Sequence, residues 1–334
     1  MEKVQGKSYT SNNVKLLKHL DKLKIIQDGG RPSPIMVHLS PCNICNLKCS
    51  FCCFANRTMK DMLAVDEMKK ALDSFRELGV TGLELTGGGE PTLHPHLDEV
   101  VAYAHNLGYK IGICTNGSRL SKLKTWDKFE WVRLGMYGWD EGYEYDLSVF
   151  DGLNTKLSAA YVWDNNIETS SNPNIIAANI QKEENFYKML DWVEEKRIPT
   201  RIAFNAIKPV EETKKDIEFI RQLIAGRNMK YAFLSDFNFK GERRNDNCYM
   251  HMVKPFVFTD GNVYVCPSAE LAIENNYRVN PEFKICDIDG IIEYYNSMEG
   301  GISQRHHSCS FCKYAMQNEL IDDIVTETTN NDFA

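Results

Sequence analysis

Apolar positions recur with a period of about two, then with a period near 3.6, and the two patterns alternate from residue 34 onward. Pro34–Ser40 reads as a strand with Ile35, Val37 and Leu39 on one face. Residues 66–78 read as a helix: Asp66 at its cap, Met68, Leu72 and Phe75 as its stripe, Gly79 as its stop. Gly82–Thr86 is the next strand. Residues 95–107 form a helix opened by a proline and striped by Leu97, Val100, Val101 and Ala104. Strands follow at 109–115, 131–137 and 156–163, then a helix at 183–196, a strand at 200–206, a helix at 212–225 and an edge strand at 230–234. Repeated strand–helix units imply a parallel sheet with right-handed crossovers. Ligands in such sheets gather at the carboxyl ends of the strands.

The rhythm stops near residue 240. Two apolar runs, 254–258 and 262–266, flank Thr259-Asp260-Gly261, which predicts a hairpin. A short helix is expected at 311–321 and a frayed polar tail after 326. Ahead of the first strand, Val14, Leu16, Leu17, Leu20, Leu23 and Ile26 give an amphipathic cap helix in a basic segment. The domain reading is therefore a cap segment over 1–33, an α/β domain over 34–240, a small α+β domain over 241–323 and a tail over 324–334.

Charge excludes more than it proposes. With 39 basic against 46 acidic residues the chain carries a net −7, no footprint for a nucleic-acid backbone. No apolar run of membrane-spanning length and no signal-peptide pattern is visible, so a cytoplasmic protein is expected. Eleven cysteines then read as metal ligands rather than disulfides.

Three of these cysteines form C-x3-C-x2-C: Cys45, Cys49 and Cys52, with Phe51 before the last. Thiolates are the usual ligands of iron–sulfur clusters. Three of them leave one iron of a four-iron cubane open to a small molecule. A structural zinc site is the alternative, with Cys42 or Cys53 as its fourth thiolate. Downstream, Thr86-Gly87-Gly88-Gly89-Glu90-Pro91 ends a strand in glycines and one carboxylate. Glycines admit close backbone approach to a ligand, and a carboxylate accepts from an ammonium group.

This pair of motifs, in this order, resembles the radical S-adenosylmethionine (radical SAM) superfamily. The resemblance implies a partial (β6/α6) barrel. It implies a 4Fe–4S cluster on Cys45, Cys49 and Cys52, and SAM bound near Phe51, Gly88, Gly89 and Glu90. Thr115-Asn116-Gly117 resembles the family's T-N-G, which adds Asn116. Where relatives have Val-Arg-Val-Ser-x-Asp-Gly, this chain has Val132-Arg133-Leu134-Gly135-Met136-Tyr137-Gly138, so the SAM-binding serine is replaced by Gly135.

A second group, Cys248, Cys266, Cys309 and Cys312, lies in a segment too small for its own core, as a metal staple would. A four-cysteine zinc site is again the alternative. The spacing resembles the SPASM/Twitch extensions, the Twitch form above all, which implies a second 4Fe–4S cluster with no open iron. Cys286 competes as a ligand and is left out.

Tyr137 and Cys114 are catalytic candidates, the latter as a hydrogen-atom donor. Asn205, Asp236, Trp163, His306, His307 and Cys53 are weaker ones. The implied activity is reductive cleavage of SAM, hydrogen abstraction from a small molecule or peptide, and oxidation through the second cluster, with flavodoxin or ferredoxin as reductant. Only 33 residues precede the barrel, which favours a small molecule or a leaderless peptide. The alternatives are a redox-neutral epimerase or rearrangement enzyme, a tRNA-modifying radical SAM enzyme, and a non-enzymatic zinc-binding protein.

Overall fold

The computed structural model describes residues 13–52, 54–55, 58–164, 173–205, 208–235, 247–267, 283–297, 312 and 314–326. Its frame is one ten-stranded sheet in the order β10-β9-β8-β1-β2-β3-β4-β5-β6-β7. The strands are β1 Met36–Leu39, β2 Gly82–Leu85, β3 Lys110–Thr115, β4 Phe129–Gly135, β5 Lys156–Trp163, β6 Thr200–Phe204, β7 Ala232–Leu234, β8 Phe256–Val257, β9 Asn262–Tyr264 and β10 Lys284–Asp287. β1 to β7 pair in parallel, each with the next along the chain. This is the parallel α/β sheet the alternating pattern predicts, with β7 at its edge.

Helices α2 Val65–Glu77, α3 Leu97–Asn106, α4 Pro173–Lys196 and α5 Val210–Ile224 make four of the six crossovers. The β3–β4 and β4–β5 connections are short 3-10 turns instead, at Leu120–Lys122, Trp126–Lys128, Trp139–Glu141 and Leu147–Phe150. α2 starts one residue before Asp66, and the Glu67 carboxylate accepts from Ala64 N–H at 3.0 Å, so Glu67 does the capping expected of Asp66. α4 begins ten residues earlier than its apolar stripe suggests, on Pro173, whose fixed φ suits a first helical turn.

One face of the sheet packs on these helices. Val37, Leu39, Leu83, Leu85, Ile111, Ile113, Val132, Leu134, Ala159, Tyr161, Trp163 and Ile202 join Met68, Leu72, Phe75, Val100, Val101 and Phe186 in the main core. By strand alternation the opposite face carries His38, Glu84, Gly112, Cys114, Arg133, Gly135, Ser158, Ala160 and Arg201.

The hairpin does not stand apart. β8 pairs in parallel with β1, β9 returns antiparallel to β8, and β10 adds antiparallel to β9. A second hydrophobic cluster lies here: Phe54, Tyr249, Met250, Phe256, Phe258, Tyr264 and Phe283, with Leu16, Leu23 and Ile26 from the amino-terminal segment and Ile321 from the last helix. The expected single amphipathic helix over 14–26 is instead a 3-10 turn, Asn13–Lys18, and α1, Leu20–Gln27. The break at His19 turns Val14, Leu17 and Leu20 to solvent and leaves Leu16, Leu23 and Ile26 inside. α6, Ile291–Asn296, and α7, Ala315–Val325, complete the described elements. The last helix starts four residues beyond the expected 311.

Candidate functional site

The chain leaving β1 runs directly into the cysteine loop, and the loop is clamped to the glycine-rich end of β2. Gly87 takes φ of +130°, open to glycine alone, and Gly88 N–H donates to Ser40 Oγ at 2.9 Å. A Cβ on Gly88 would run into the Asn43 side chain, and one on Gly89 into the Ile44 carbonyl. Glu90 N–H donates to Ile44 O at 2.8 Å. The glycines therefore let the end of β2 lie against the two residues that precede Cys45.

Glu90 is 2% exposed and heavily used. Its Oε1 accepts from Thr115 Oγ1 at 2.6 Å, Thr92 Oγ1 at 2.7 Å and Thr92 N–H at 3.1 Å; Oε2 accepts from Asn116 N–H at 2.6 Å. Burial pushes its carboxyl above the ordinary range against the pull of these donors. Glu90 thus staples the ends of β2 and β3 together. Asn116, on the β3 side, donates through Nδ2 to Asn46 Oδ1 at 3.0 Å and lies 3.9 Å from Cys45 Sγ. Cys42 is buried and donates to Glu90 O at 3.3 Å, a structural role.

On its other side the loop is tied to β5 and β6. Ser50 Oγ donates to Asp164, just past β5, and Asp164 also accepts from Asn205 Nδ2 at 3.0 Å and faces Lys208 at 3.5 Å. Phe51 sets its ring edge-on to Tyr137, centroids 5.2 Å apart. Tyr137 in turn lies over Gly135, where a Cβ would enter the phenol ring. The missing serine and the tyrosine are one feature: the ring fills the place a side chain at 135 would need. Trp163 is fully buried against Phe186 and Phe219 and belongs to the core.

Cys45, Cys49 and Cys52 are half-buried, and no described cysteine is in a disulfide. Burial, and then the nearby Cys52 and Cys45, push the Cys49 thiol up to about 12. A thiol whose ionisation two neighbouring thiols oppose, as at Cys49, is in a setting that a bound cation relieves. Among the described residues no three His, Cys, Asp or Glu side chains converge on a single metal ion. A cubane takes each thiolate on a different iron and does not require that convergence. The donor set fits the cluster.

Cys248 and Cys266 are buried in the second hydrophobic cluster, and Cys52 packs against its edge. Asn318 draws Cys312 into the same place. Its Nδ2 donates to Cys312 Sγ at 3.5 Å, and its Oδ1 accepts from Tyr249 N–H at 2.8 Å, one residue past Cys248. Cys286 packs against the main core instead. Cys309 lies outside the described residues, as do Cys53, Asp236, His306 and His307.

The sequence reading missed the charged groups of the inner sheet face. His38 Nε2 lies 3.3 Å from Glu84 Oε2, and Cys114 Sγ donates to Glu84 Oε1 at 3.4 Å. Arg133 approaches Cys114 Sγ at 3.9 Å. Burial holds His38 neutral, down to about 4, and pushes Cys114 up to about 12. Burial alone would raise Glu84, but Arg133, Lys254 and the Cys114 hydrogen bond pull it below its ordinary range. The signal was present in the sequence: one polar residue at an inward position of strands otherwise rich in Val, Ile and Leu.

A family model described as the radical SAM superfamily matches residues 39–143, which spans the cysteine loop and the Gly88-Gly89-Glu90 clamp. Over these residues the chain is similar to the radical SAM superfamily. The S-adenosylmethionine-dependent nucleotide dehydratase of Selenomonas ruminantium is 35% identical over 74 residues, 22% of this chain and 27% of that protein. The GTP 3′,8-cyclase of Tolumonas auensis is 33% identical over 101 residues, 29% of this chain and 30% of that one. The match thus spans under a third of the length of these relatives.

Solved radical SAM structures share the fold over far more of the chain. Streptococcus suis SuiB bound to precursor peptide SuiA matches with a TM-score of 0.51 over 92% of this chain and 78% of that one, at 16% identity. Native anSMEcpe with bound AdoMet and Kp18Cys peptide matches at 0.52 over 87% and 96%, at 13% identity. The architecture is therefore the radical SAM partial barrel, with an α/β parallel sheet. No helix among the described residues is long and apolar enough to cross a membrane.

Proposed function

We propose that this radical SAM protein oxidises its substrate, a small molecule or a peptide, using two 4Fe–4S clusters. Cys45, Cys49 and Cys52 would hold the first, and Cys248, Cys266, Cys309 and Cys312 the second. When bound, the first cluster supplies the electron that splits SAM into methionine and a 5′-deoxyadenosyl radical, which takes a hydrogen atom from the substrate. Phe51, Gly88, Gly89, Glu90 and Asn116 would border SAM, with Glu90 also keeping the ends of β2 and β3 in register. A flavodoxin or ferredoxin is the expected reductant. The second cluster would accept the electron the substrate radical gives up, and a proton would leave to solvent.

One observation carries the two-cluster reading: Cys52 of the first group borders the same aromatic cluster that buries Cys248 and Cys266 of the second. Phe54, two residues beyond Cys52, lies against Phe256 and Phe258, on and just after β8, the first strand of the hairpin whose second strand leads to Cys266. A peptide keeps its place beside a small molecule because SuiB and anSMEcpe, of the same fold, were solved with peptides.

A redox-neutral outcome has one observation in its favour. Cys114 faces the inner side of the sheet and is held as a protonated thiol, the form that can return a hydrogen atom.

The test is a Cys309→Ala, Cys312→Ala double variant, reconstituted without oxygen and checked for folding by circular dichroism. Reductive formation of 5′-deoxyadenosine should persist. Mass spectrometry of cell extract incubated with enzyme, SAM and dithionite should show the wild-type product reduced by about tenfold or more. Product at the wild-type rate from the folded variant would leave the second site a structural staple.

A further inference from the structure

Arg133, Arg201 and Lys254 converge on the inner face of the sheet with Lys15 beside them, and among the described residues Glu84 is the carboxylate that acts on them. Arg133 points inward from β4 and Arg201 from β6, one register step apart across β5: Arg133 pairs with Ser158, and Arg201 with Ala160, the next inward position. Lys254, just before β8, is 3% exposed with its ammonium 3.8 Å from the Tyr314 ring centre. Glu84, on β2, is the carboxylate near all three. In a flat sheet the four strand spacings between β2 and β6 would hold Glu84 and Arg201 about 19 Å apart. Their mutual influence follows from the curl of the partial barrel.

We propose that Arg133, Arg201 and Lys254 form a receptor inside the barrel for an oxyanion group of the substrate, a carboxylate or a phosphate. The proposal rests on the radical SAM reading for its setting.

Arg201 gives the most specific support. Its Nε is buried without a hydrogen-bond partner, and it makes no ion pair among the described residues. A guanidinium so placed presents a planar fork with nothing to grip, the geometry that suits a carboxylate or phosphate. Its neighbours on β5 and β6 carry small side chains, Ser158, Ala160 and Ala203, while Tyr137 covers Gly135 on β4. Trp131 closes the lower end, its indole lying over Gly112 and 5.4 Å from the Arg133 guanidinium.

The charge balance points the same way. Among the described residues Arg133 and Arg201 share Glu84 as their carboxylate, a local excess of positive charge in a chain whose net charge is −7, while Lys254 also feels Cys266. His38, held neutral by burial, adds no further cation. SAM does not correct the excess, since its sulfonium and ammonium outnumber its single carboxylate. An enclosed excess of this kind is costly until an anion arrives.

The test is equilibrium dialysis of radiolabelled inorganic phosphate against the reconstituted holoprotein with SAM present, at fixed ionic strength. The wild type should bind one phosphate per chain. Arg133→Met and Arg201→Met should each weaken phosphate by about tenfold or more, from the loss of charge-assisted hydrogen bonds, with SAM affinity held within about threefold. Circular dichroism confirms that each variant folds. Displacement by formate or by pyrophosphate separates a carboxylate receptor from a phosphoryl one. Failure of the wild type to bind phosphate would overturn the proposal, as would undiminished binding to an Arg133→Met, Arg201→Met double variant. Mutual exclusion of phosphate and SAM would also overturn it, by assigning the guanidiniums to SAM's own carboxylate. The radical SAM reading fails separately, by absence of 5′-deoxyadenosine from the wild type.

Discussion

Glu90 shows how one residue can serve a ligand and the scaffold together. The sequence motif casts it as a partner for the SAM ammonium, and its four internal donors make it the pin between β2 and β3 as well. Glu90→Gln puts an amide N–H₂ where two backbone N–H groups and two threonine hydroxyls now donate. A loss of about 1–3 kcal/mol in unfolding free energy is expected, together with weaker SAM binding. Denaturant titration and SAM dialysis read the two effects, and an unchanged midpoint would remove the pin. His38 offers a pH test. Folded, it titrates at about 4 because burial disfavours its charge; unfolded, it returns to 6.5. Between those values the unfolded chain binds a proton that the folded chain does not. Stability, complete above about pH 6.5, should therefore fall as the pH drops towards 4, by up to about 3 kcal/mol. Glu84, held below its ordinary range, adds loss in the same direction at lower pH. His38→Gln should flatten the decline between pH 6.5 and 4 in denaturant titrations. A slope equal to the wild type would place the acid sensitivity elsewhere.

Elements built on strong periodicity were legible from sequence. β5 spans 156–163 as expected, and β1 to β4, β6 and β7 fall within a few residues of their readings. Their alternation and their Gly or Pro boundaries come from local chemistry, which a sequence displays. The failures have physical causes too. The amino-terminal stripe looked continuous because apolar spacing does not register a break at His19. β10 and α6 went unread because Lys284–Asp287 and Ile291–Asn296 are too short for a period to emerge, and they form by adding to β9 and to the core. The cysteine motifs were legible, whereas the Asn318 clamp was not, because it joins Cys312 to Tyr249 across a long stretch of chain. Asn318→Leu tests that clamp. It leaves the buried Tyr249 N–H unpaired at a cost of about 1–3 kcal/mol. Iron at the second site should fall while the first site keeps its own. Full iron content in the folded variant would show that the cysteines assemble without it.

At the scale of the whole molecule, the hairpin that carries Cys266 adds to the barrel's own sheet through β8 and β1. The amino-terminal segment packs onto the last helix, with Gln27 Nε2 donating to Ile324 O at 3.3 Å. Cys52, Cys248 and Cys266 therefore border one aromatic cluster at the edge of the barrel, and the charged inner face opens beside them through Lys254, whose ammonium feels both Glu84 and Cys266. The proposal of two clusters in one reaction space depends on that convergence. Iron content after anaerobic reconstitution tests it most directly. The wild type should hold about eight irons per chain and the Cys45→Ala, Cys49→Ala, Cys52→Ala variant about four, as two cubanes with separate ligands require. Stoichiometric zinc with little iron in the wild type would contradict the account.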